Sequence, residues 1–182
     1  MEAENIEREL KFGDVDLGSL RDRLADLEAE CQGSSSLEDN WIFDRQGELT
    51  ESGRLLRLRV DRRGSRLTFK GPTHFEDRIK VRTEIQTDID SFDRMRSILE
   101  ALGYSLVCRY QKHREEWLLG SIVISLDHTP IGDFVEFEGD GCERVAKRFG
   151  LDPETAERRN YLRLYEDYRS EHPEAPDDMI FQ

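Results

Sequence analysis

Cysteine is scarce in this sequence, and long apolar runs are missing. The three cysteines, Cys31, Cys108 and Cys142, are odd in number and have no paired spacing, so the sequence indicates neither a disulfide framework nor a zinc site. No segment has the length and apolar character of a membrane span, and the first residues do not resemble an export signal. We therefore expect a cytoplasmic protein that makes no contact with a membrane.

A glycine-rich phosphate loop is also missing, so any phosphate would be bound by side chains rather than by the N-terminus of a helix. The four histidines lie far apart and lack metal-ligand spacing, so we interpret them as surface or loop residues. Apolar residues are few, at 36%, whereas charged residues reach 37%. Either the surface is unusually charged, or charged side chains also line an interior cavity.

The charge is negative overall but unevenly distributed. The net charge is −13, so the whole molecule should repel nucleic acids and anionic membranes. Residues 54–82 nevertheless contain ten Lys and Arg against three acidic residues, a local net charge of +7. A basic centre within an acidic protein indicates a confined small anion, and we expect no nucleic-acid partner.

The length predicts one domain. At 182 residues the chain can bury a proper core without dividing into several units. We expect a single domain over residues 1–170. Residues 171–182 are acidic and contain proline, which predicts a mobile tail.

Hydrophobic periodicity predicts both helices and strands. Helical spacing of apolar residues predicts helices at residues 16–30, 90–102, 143–149 and 154–168. An alternation with a period of two predicts about eight strands, most of them joined in antiparallel order. These strands are expected at residues 6–12, 41–44, 55–60, 66–70, 78–87, 105–118, 121–126 and 134–138.

The first predicted strand carries an unusual set of charges on one face. Glu7, Glu9 and Lys11 share that face because side chains alternate along a strand. Two carboxylates about 7 Å apart, followed by an ammonium group, suit a divalent metal and a phosphate. The alternative for this segment alone is a half-exposed strand with a solvated charged face.

The same pattern returns on later strands, which favours an enclosed charged surface. An open antiparallel sheet also alternates, with a polar face of mixed residues in water. Here the polar face is dominated by Arg and Lys pairs, with acidic pairs on the first and last strands. Such dense cations would repel one another unless an anion neutralised them. We therefore predict an α+β fold, an eight-stranded antiparallel β-barrel or tunnel with a charged lumen and flanking helices.

A triphosphate is the ligand that suits this lumen. Its negative charges can be matched by several Arg forks and Lys ammonium groups, with Mg²⁺ or Mn²⁺ joining phosphate oxygens to carboxylates. A monophosphate would not require so many cations. A nucleic-acid backbone would not need to be enclosed.

The first strand also resembles a known family motif. Residues 7–11, Glu-Arg-Glu-Leu-Lys, match the Glu-x-Glu-x-Lys signature of the CYTH superfamily, the triphosphate tunnel metalloenzymes. The Thr-Phe-Lys-Gly-Pro block at 68–72, and a Lys-x-Arg followed by Trp117, resemble the class IV adenylate cyclase branch. Trp117 stands where tyrosine is more usual, and residues 128–130 interrupt a stretch that is usually more aliphatic or acidic. The remaining blocks follow the family's order at residues 56–59, 80–84, 111–114, 126–127 and 132–138.

The resemblance implies a role for each charged residue of the lumen. Glu9, Asp127 and Glu138 would be catalytic, with Asp127 binding a second metal or orienting the nucleophile. The metal, Mg²⁺ or Mn²⁺, would be held by Glu7, Glu9, Glu136 and Glu138. The triphosphate would be held by Lys11, Arg57, Arg59, Lys70, Lys80, Arg82, Lys112 and Arg114.

The resemblance further implies an enzyme that acts on a small-molecule triphosphate. We expect a class IV adenylate cyclase-like reaction, in which ATP gives cyclic AMP and pyrophosphate. Two alternatives stay open: a triphosphatase that hydrolyses inorganic, thiamine or nucleoside triphosphate, and a non-catalytic module that binds polyphosphate or nucleotide. The residues separate the first two poorly. The oligomeric state is open as well, with a homodimer among the options.

Overall fold

A computed structural model describes the chain from residue 6 to residue 182; the first five residues of the predicted domain lie outside this part. The described chain contains ten strands and five α-helices. The strands are β1 Ile6–Gly13, β2 Glu30–Cys31, β3 Ser36–Asp44, β4 Leu55–Asp61, β5 Gly64–Lys70, β6 His74–Glu76, β7 Ile79–Ile89, β8 Ser105–Leu119, β9 Ile122–Thr129 and β10 Gly132–Glu138. The helices are α1 Leu17–Asp26, α2 Glu48–Glu51, α3 Phe92–Ala101, α4 Cys142–Arg148 and α5 Tyr161–Glu171, with a 3-10 turn at Pro153–Thr155.

Eight of the strands close into an antiparallel barrel, which confirms the predicted fold class. The order around the wall is β1-β10-β9-β8-β3-β4-β5-β7, and β7 pairs with β1 to complete the circle. The short strands β2 and β6 lie outside this circle, on β8 and β7. Closure matters because a closed wall has an interior, and alternate side chains of every strand must enter it.

The largest hydrophobic cluster lies outside the barrel, between its wall and the helices. On β1 the apolar residues Leu10 and Phe12 face outward and are buried with Leu24 of α1 and Ala146 of α4. Phe137 of β10 is fully buried in the same cluster, and burying such a side chain stabilises the fold by about 2–3 kcal/mol. The apolar face is therefore satisfied by helices, which leaves the charged face for the lumen.

Side-chain caps define the starts of two helices, α1 and α3, close to the predicted positions. Asp16 accepts hydrogen bonds from Gly18 and Ser19 at the start of α1, and Ser91 caps α3. Helix α3 packs Leu99 against the barrel wall, in a cluster with Phe43 of β3 and Leu58 of β4. Among the helices of residues 6–182, none is both long and apolar enough to cross a membrane.

The predicted helix at 154–168 is wrong in its first half. Only the 3-10 turn forms there, and α5 begins at Tyr161, where the side chain of Asn160 caps it. The reason is a bond to a distant strand: the amide of Glu157 donates to the carbonyl of Lys11 on β1, at 2.7 Å. This bond draws the backbone away from a helical path. The spacing of apolar residues along the chain does not indicate such a bond.

Residues 171–182, predicted to form a mobile tail, contact the barrel through their last residues. Met179 is 1% exposed, and its backbone bonds to Arg109 and Gln111 of β8 at 3.1 and 2.8 Å. The pairing of β8 with β9 reaches only as far as His113, so the preceding part of β8 has a free edge. The tail fills that edge because unpaired backbone groups of a strand favour a partner.

Candidate active site

The barrel encloses a cavity of about 490 Å³. It lies between β1, β4, β5, β7, β8 and β10, and residues 160–162 contribute to its wall. The charged faces of these strands therefore share one enclosed space, and the alternative of a solvated outer face is wrong. Twelve of the predicted site residues line the cavity: Glu7, Glu9, Lys11, Arg57, Arg59, Lys70, Lys80, Arg82, Lys112, Arg114, Glu136 and Glu138.

Glu7 is held by two cations from neighbouring strands. Lys70 Nζ lies 2.7 Å from one carboxylate oxygen and Arg82 Nε lies 2.6 Å from the other. Lys70 also contacts Glu84 at 2.7 Å. Burial alone would raise the pKa of Glu7, but Lys70 and Arg82 outweigh it and hold that pKa well below the usual range. Glu7 is therefore ionised and already neutralised.

Glu136 is held in the same way on the opposite side of β1. Arg114 makes a very close ion pair with it, and Lys11 Nζ lies 3.4 Å away. Burial would raise the pKa of Glu136, whereas Lys112, Arg114 and Lys11 lower it, and the cations prevail. This carboxylate too is neutralised by side chains of the wall.

Glu9 and Glu138 form a different pair. They stand opposite each other on β1 and β10, and Glu9 has one cation, Lys80 Nζ, at 3.6 Å. Among the described residues, none places a cation within 4.0 Å of Glu138. Although this side chain reaches water, its surroundings raise its pKa to about 7, first through burial and then through the charges of Glu7 and Glu9. The pair carries negative charge that the protein leaves uncompensated.

This uncompensated pair fits a divalent metal that arrives with its substrate. Within residues 6–182, no three His, Cys, Asp or Glu side chains stand together as a complete metal site. The oxygens of Glu7 and Glu136 are engaged by cations. Mg²⁺ commonly takes one or two carboxylates and completes its octahedron with water and phosphate oxygens. Glu9 and Glu138 match that donor set.

The cationic wall contains a buried carboxylate that the sequence analysis missed. Glu38 of β3 accepts a hydrogen bond from Arg59 at 2.7 Å and lies 3.8 Å from Lys112. Burial opposes its ionisation, but Lys112, Arg114 and Arg59 lower the pKa of Glu38 to about 2. The prediction began this strand at Trp41; extending the same alternation backwards would have placed Glu38 on the lumen face.

Asp127, predicted to be catalytic, does not line the cavity. It is fully buried on the lumen side of β9, beneath cavity-lining side chains, and accepts hydrogen bonds from Lys112 at 2.9 Å and from Arg114 at 2.7 and 2.6 Å. The hydroxyl of Tyr161 donates to it as well, at 2.7 Å. These donors occupy its oxygens, so Asp127 is placed to orient cations rather than to meet a substrate or a metal.

Aromatic residues also contribute to the lumen, and the sequence analysis assigned none of them there. Tyr161 lines the cavity, with Lys11 Nζ 3.9 Å and Lys112 Nζ 4.9 Å from its ring centroid. Tyr110 lines the cavity from β8, and its hydroxyl lies 3.4 Å from Arg57.

Comparisons with known proteins agree with this geometry. A family model for the CYTH domain matches residues 5–161. The chain is 30% identical, over 135 residues, to a Methanocaldococcus jannaschii protein provisionally named an adenylate cyclase. That match covers 73% of this chain and 76% of the archaeal protein.

Solved structures share the fold. A Vibrio parahaemolyticus protein, also provisionally described as an adenylate cyclase, superposes with a TM-score of 0.78 at 25% identity, covering 89% of this chain and 98% of that one. A Hippeastrum protein superposes with a TM-score of 0.65 at 17% identity, covering 90% and 95% of the two chains. The latter is described as an adenylyl cyclase candidate with a dominant triphosphatase activity; at that identity the likeness concerns the fold alone.

Proposed function

Because the chain belongs to the CYTH domain family, we propose that it is a divalent-metal-dependent enzyme that cyclises ATP to cyclic AMP and pyrophosphate. Members of the family bind triphosphates and in general depend on a metal. One observation carries the proposal: cations from the middle strands and carboxylates from β1 and β10 face each other within a single cavity. That arrangement suits an anion and a metal bound side by side.

The triphosphate would lie against the cations of the wall. Before it binds, Glu7, Glu38 and Glu136 hold several of these cations in place. A buried cation without a partner is costly, so the internal carboxylates keep the wall charged and ordered. Phosphate oxygens can then replace or join these partners. The proposed triphosphate ligands are Lys11, Arg57, Arg59, Lys70, Lys80, Arg82, Lys112 and Arg114.

Glu9 and Glu138 would hold the metal, since they combine carboxylate oxygens with uncompensated charge. Glu7 and Glu136 lie beside them and would complete the site only by exchanging their present partners. When bound, Mg²⁺ or Mn²⁺ supplies a Lewis acid that polarises phosphate oxygens and favours ionisation of a coordinated hydroxyl.

The chain's own residues would stabilise the leaving group. Cyclisation transfers the α-phosphorus to the ribose 3′-oxygen, and negative charge develops on the departing pyrophosphate. Arg57, Arg59 and Arg82 are fixed by ion pairs or hydrogen bonds before reaction, so they stabilise that charge without reorganising. Asp127 would contribute by holding Lys112 and Arg114 towards the lumen.

A second candidate keeps the site and changes the nucleophile. A water molecule in place of the ribose hydroxyl would make the protein a triphosphatase for inorganic, thiamine or nucleoside triphosphate, and the activity described for the Hippeastrum protein motivates this candidate. A non-catalytic binding module is disfavoured, because a pure anion binder gains nothing from Glu9 and Glu138 beside its ligand.

Product analysis decides among these functions. Purified protein is incubated with ATP, tripolyphosphate or thiamine triphosphate in Mg²⁺ or Mn²⁺, and an Arg59→Ala variant prepared in parallel controls for contaminating phosphatases. Cyclic AMP with equimolar pyrophosphate supports cyclisation. ADP or orthophosphate alone rejects cyclisation in favour of hydrolysis. Tight binding without metal or turnover supports the binding module, and the absence of any binding overturns all three.

A further inference from the structure

Tyr161 reaches the lumen from a helix rather than from the barrel wall. It is the first residue of α5, and it touches charged groups on three strands. Its ring lies beneath Lys11 of β1 at 3.9 Å and near Lys112 of β8 at 4.9 Å. Its hydroxyl donates to Asp127 of β9 at 2.7 Å. A single side chain therefore joins two lumen cations and the carboxylate behind them.

The hydroxyl fixes the orientation of Asp127. Burial and the negative charge of Asp127 raise the pKa of Tyr161 well above its usual value, so the phenol stays a donor at neutral pH. With one oxygen shared by Tyr161 and the cations, Asp127 cannot turn away without breaking a buried, charge-assisted hydrogen bond. Lys112 and Arg114 are thereby held at the lumen surface.

The ring acts on the ammonium groups themselves. The face of an aromatic ring attracts a cation, and the attraction strengthens when water is excluded. Lys11 and Lys112 are 3% and 2% exposed, so both ammonium groups are desolvated. Lys11 is further directed by the carbonyl of Arg159 and by Glu136, each at 3.4 Å. The ring thus defines one side of the position in which each ammonium group rests.

The position of the ring does not depend on a ligand. Asn160 caps α5 immediately before Tyr161, and the amide of Glu157 ties the preceding segment to β1. From the other side the ring packs in a buried cluster with Tyr110, Phe134 and Met179. Asn160 and the aromatic cluster therefore fix the ring without involving Lys11, Lys112 or Asp127.

We propose that Tyr161 is a positioning residue, which holds Lys11, Lys112 and Asp127 in the arrangement that receives the triphosphate. The identity of the ligand rests on the proposed function; the positioning itself does not. Two experiments separate these parts, one without any ligand and one with inorganic triphosphate.

Lysine NMR tests the positioning in the ligand-free protein. The sequence has five lysines, so selectively ¹³C-labelled side chains give few signals, and Lys147, which is exposed on α4, serves as the internal reference. The ε-methylene signal of Lys11 should be shifted upfield by the ring. Tyr161→Phe should retain the shift and Tyr161→Leu should abolish it. An unshifted Lys11 signal in the unmutated protein overturns the proposal.

Calorimetry with Mg²⁺ and inorganic triphosphate tests the consequence. Tyr161→Leu should weaken binding at least tenfold, because it removes both cation–π contacts and the hydrogen bond to Asp127. Tyr161→Phe should weaken binding about threefold, the size of one hydrogen bond. Tyr165→Phe is the matched control, because its hydroxyl donates to the Pro176 and Asp178 carbonyls outside the lumen; its affinity should not change.

The outcomes remain distinguishable. If the unmutated protein binds no triphosphate, the proposed function fails, and the NMR signal alone decides the positioning. If it binds and Tyr161→Leu binds equally well, the positioning role is rejected. If Tyr161→Leu does not fold, the Tyr161→Phe affinity and the Lys11 shift still decide, and either an unchanged affinity or an unshifted signal overturns the proposal.

Discussion

At the scale of single residues, the lumen is governed by whether each carboxylate has a cation. Glu7, Glu38 and Glu136 are paired and their pKa values are lowered, whereas the pKa of Glu138 is raised to about 7. All four are glutamates on strand faces, and only their neighbours differ. The paired carboxylates order the wall, and the uncompensated one marks the place where positive charge is still needed.

Glu138→Gln should stabilise the metal-free protein at alkaline pH. A raised folded-state pKa means that Glu138 favours folding below its unfolded pKa of about 4.3, and that this contribution is lost as pH rises through about 7. In EDTA at pH 8 the variant should therefore melt at a higher temperature than the unmutated protein, and the difference should vanish near pH 4. Glu171→Gln, on the exposed end of α5, is the control. Equal melting temperatures at pH 8 would contradict the assignment.

Glu38→Gln should have the opposite effect. The variant leaves Arg59 and Lys112 without their buried partner, which should lower the free energy of unfolding at pH 7 by about 3 kcal/mol. Because the pKa of Glu38 is lowered to about 2, its contribution is present above the unfolded pKa and is lost as pH falls towards 2. Urea unfolding at pH 7 and pH 3 measures the difference in free energy of unfolding between the variant and the unmutated protein, which should be smaller at pH 3. Glu30→Gln on the exposed strand β2 is the control. A difference that is equal at the two pH values would argue against the ion pair of Glu38 with Arg59.

At the scale of elements, the segments that follow β10 cover the end of the barrel at which the pairing between strands is incomplete. Strand β8 extends past the end of β9, so one stretch of its edge has no neighbour within the barrel. The tail pairs there through Met179, and α5 covers the adjoining cluster of Tyr110, Tyr161 and Tyr165. The end of the chain is thus part of the tunnel wall.

Met179→Ala should weaken this end of the barrel. Removing a fully buried methionine costs about 2–4 kcal/mol, so the free energy of unfolding should fall by that amount in urea titration. Ile180→Ala, at a half-buried neighbour, should cost less. In a chain truncated after Asp177, the amide of Gln111, which donates to the Met179 carbonyl at 2.8 Å, should exchange with solvent much faster. Unchanged protection of Gln111 would show that the tail does not pair with β8.

At the scale of the whole molecule, the ligand site joins the two ends of the sequence. β1 pairs with β10 and with β7, so the first strand closes the barrel between the last strand and a middle one. A ligand bound to carboxylates of β1 and β10 and to cations of β4, β7 and β8 would contact five of the eight wall strands, drawn from the first, middle and last parts of the described chain. Binding and global unfolding should therefore be coupled.

Magnesium triphosphate should stabilise the entire barrel. At a free concentration one hundred times Kd, a ligand that binds only the folded state adds about 2.7 kcal/mol, which calorimetric melting detects as a single shifted transition. Orthophosphate with Mg²⁺ at the same concentration should add much less, because it can engage only part of the wall. Arg59→Ala should reduce the shift. A shift of equal size with orthophosphate would argue against recognition of a triphosphate chain.

Much of the fold and most of the lumen could be predicted from alternation alone. The period of two assigns Glu7, Glu9 and Lys11 to one face whatever the neighbouring strands are, and the closed barrel confirms the expected architecture. The incorrect helix start at residue 154 and the contacts of the tail, which the sequence did not indicate, share one cause. Glu157 bonds to Lys11, and Met179 bonds to Gln111. Neither backbone contact is indicated by the spacing of apolar residues in its own segment.

The order of residues by itself determined which side chains share a face, because successive side chains of a strand point in opposite directions. The tertiary structure alone decided which members of that face meet the cavity. Asp127 shares the pattern of its neighbours yet is covered by Lys112, Arg114 and Tyr161, and Tyr161 reaches the lumen from a helix. How deeply a side chain is buried, and which groups it contacts, depend on pairings between strands that are distant in sequence. Alternation along a single strand contains no information about those pairings.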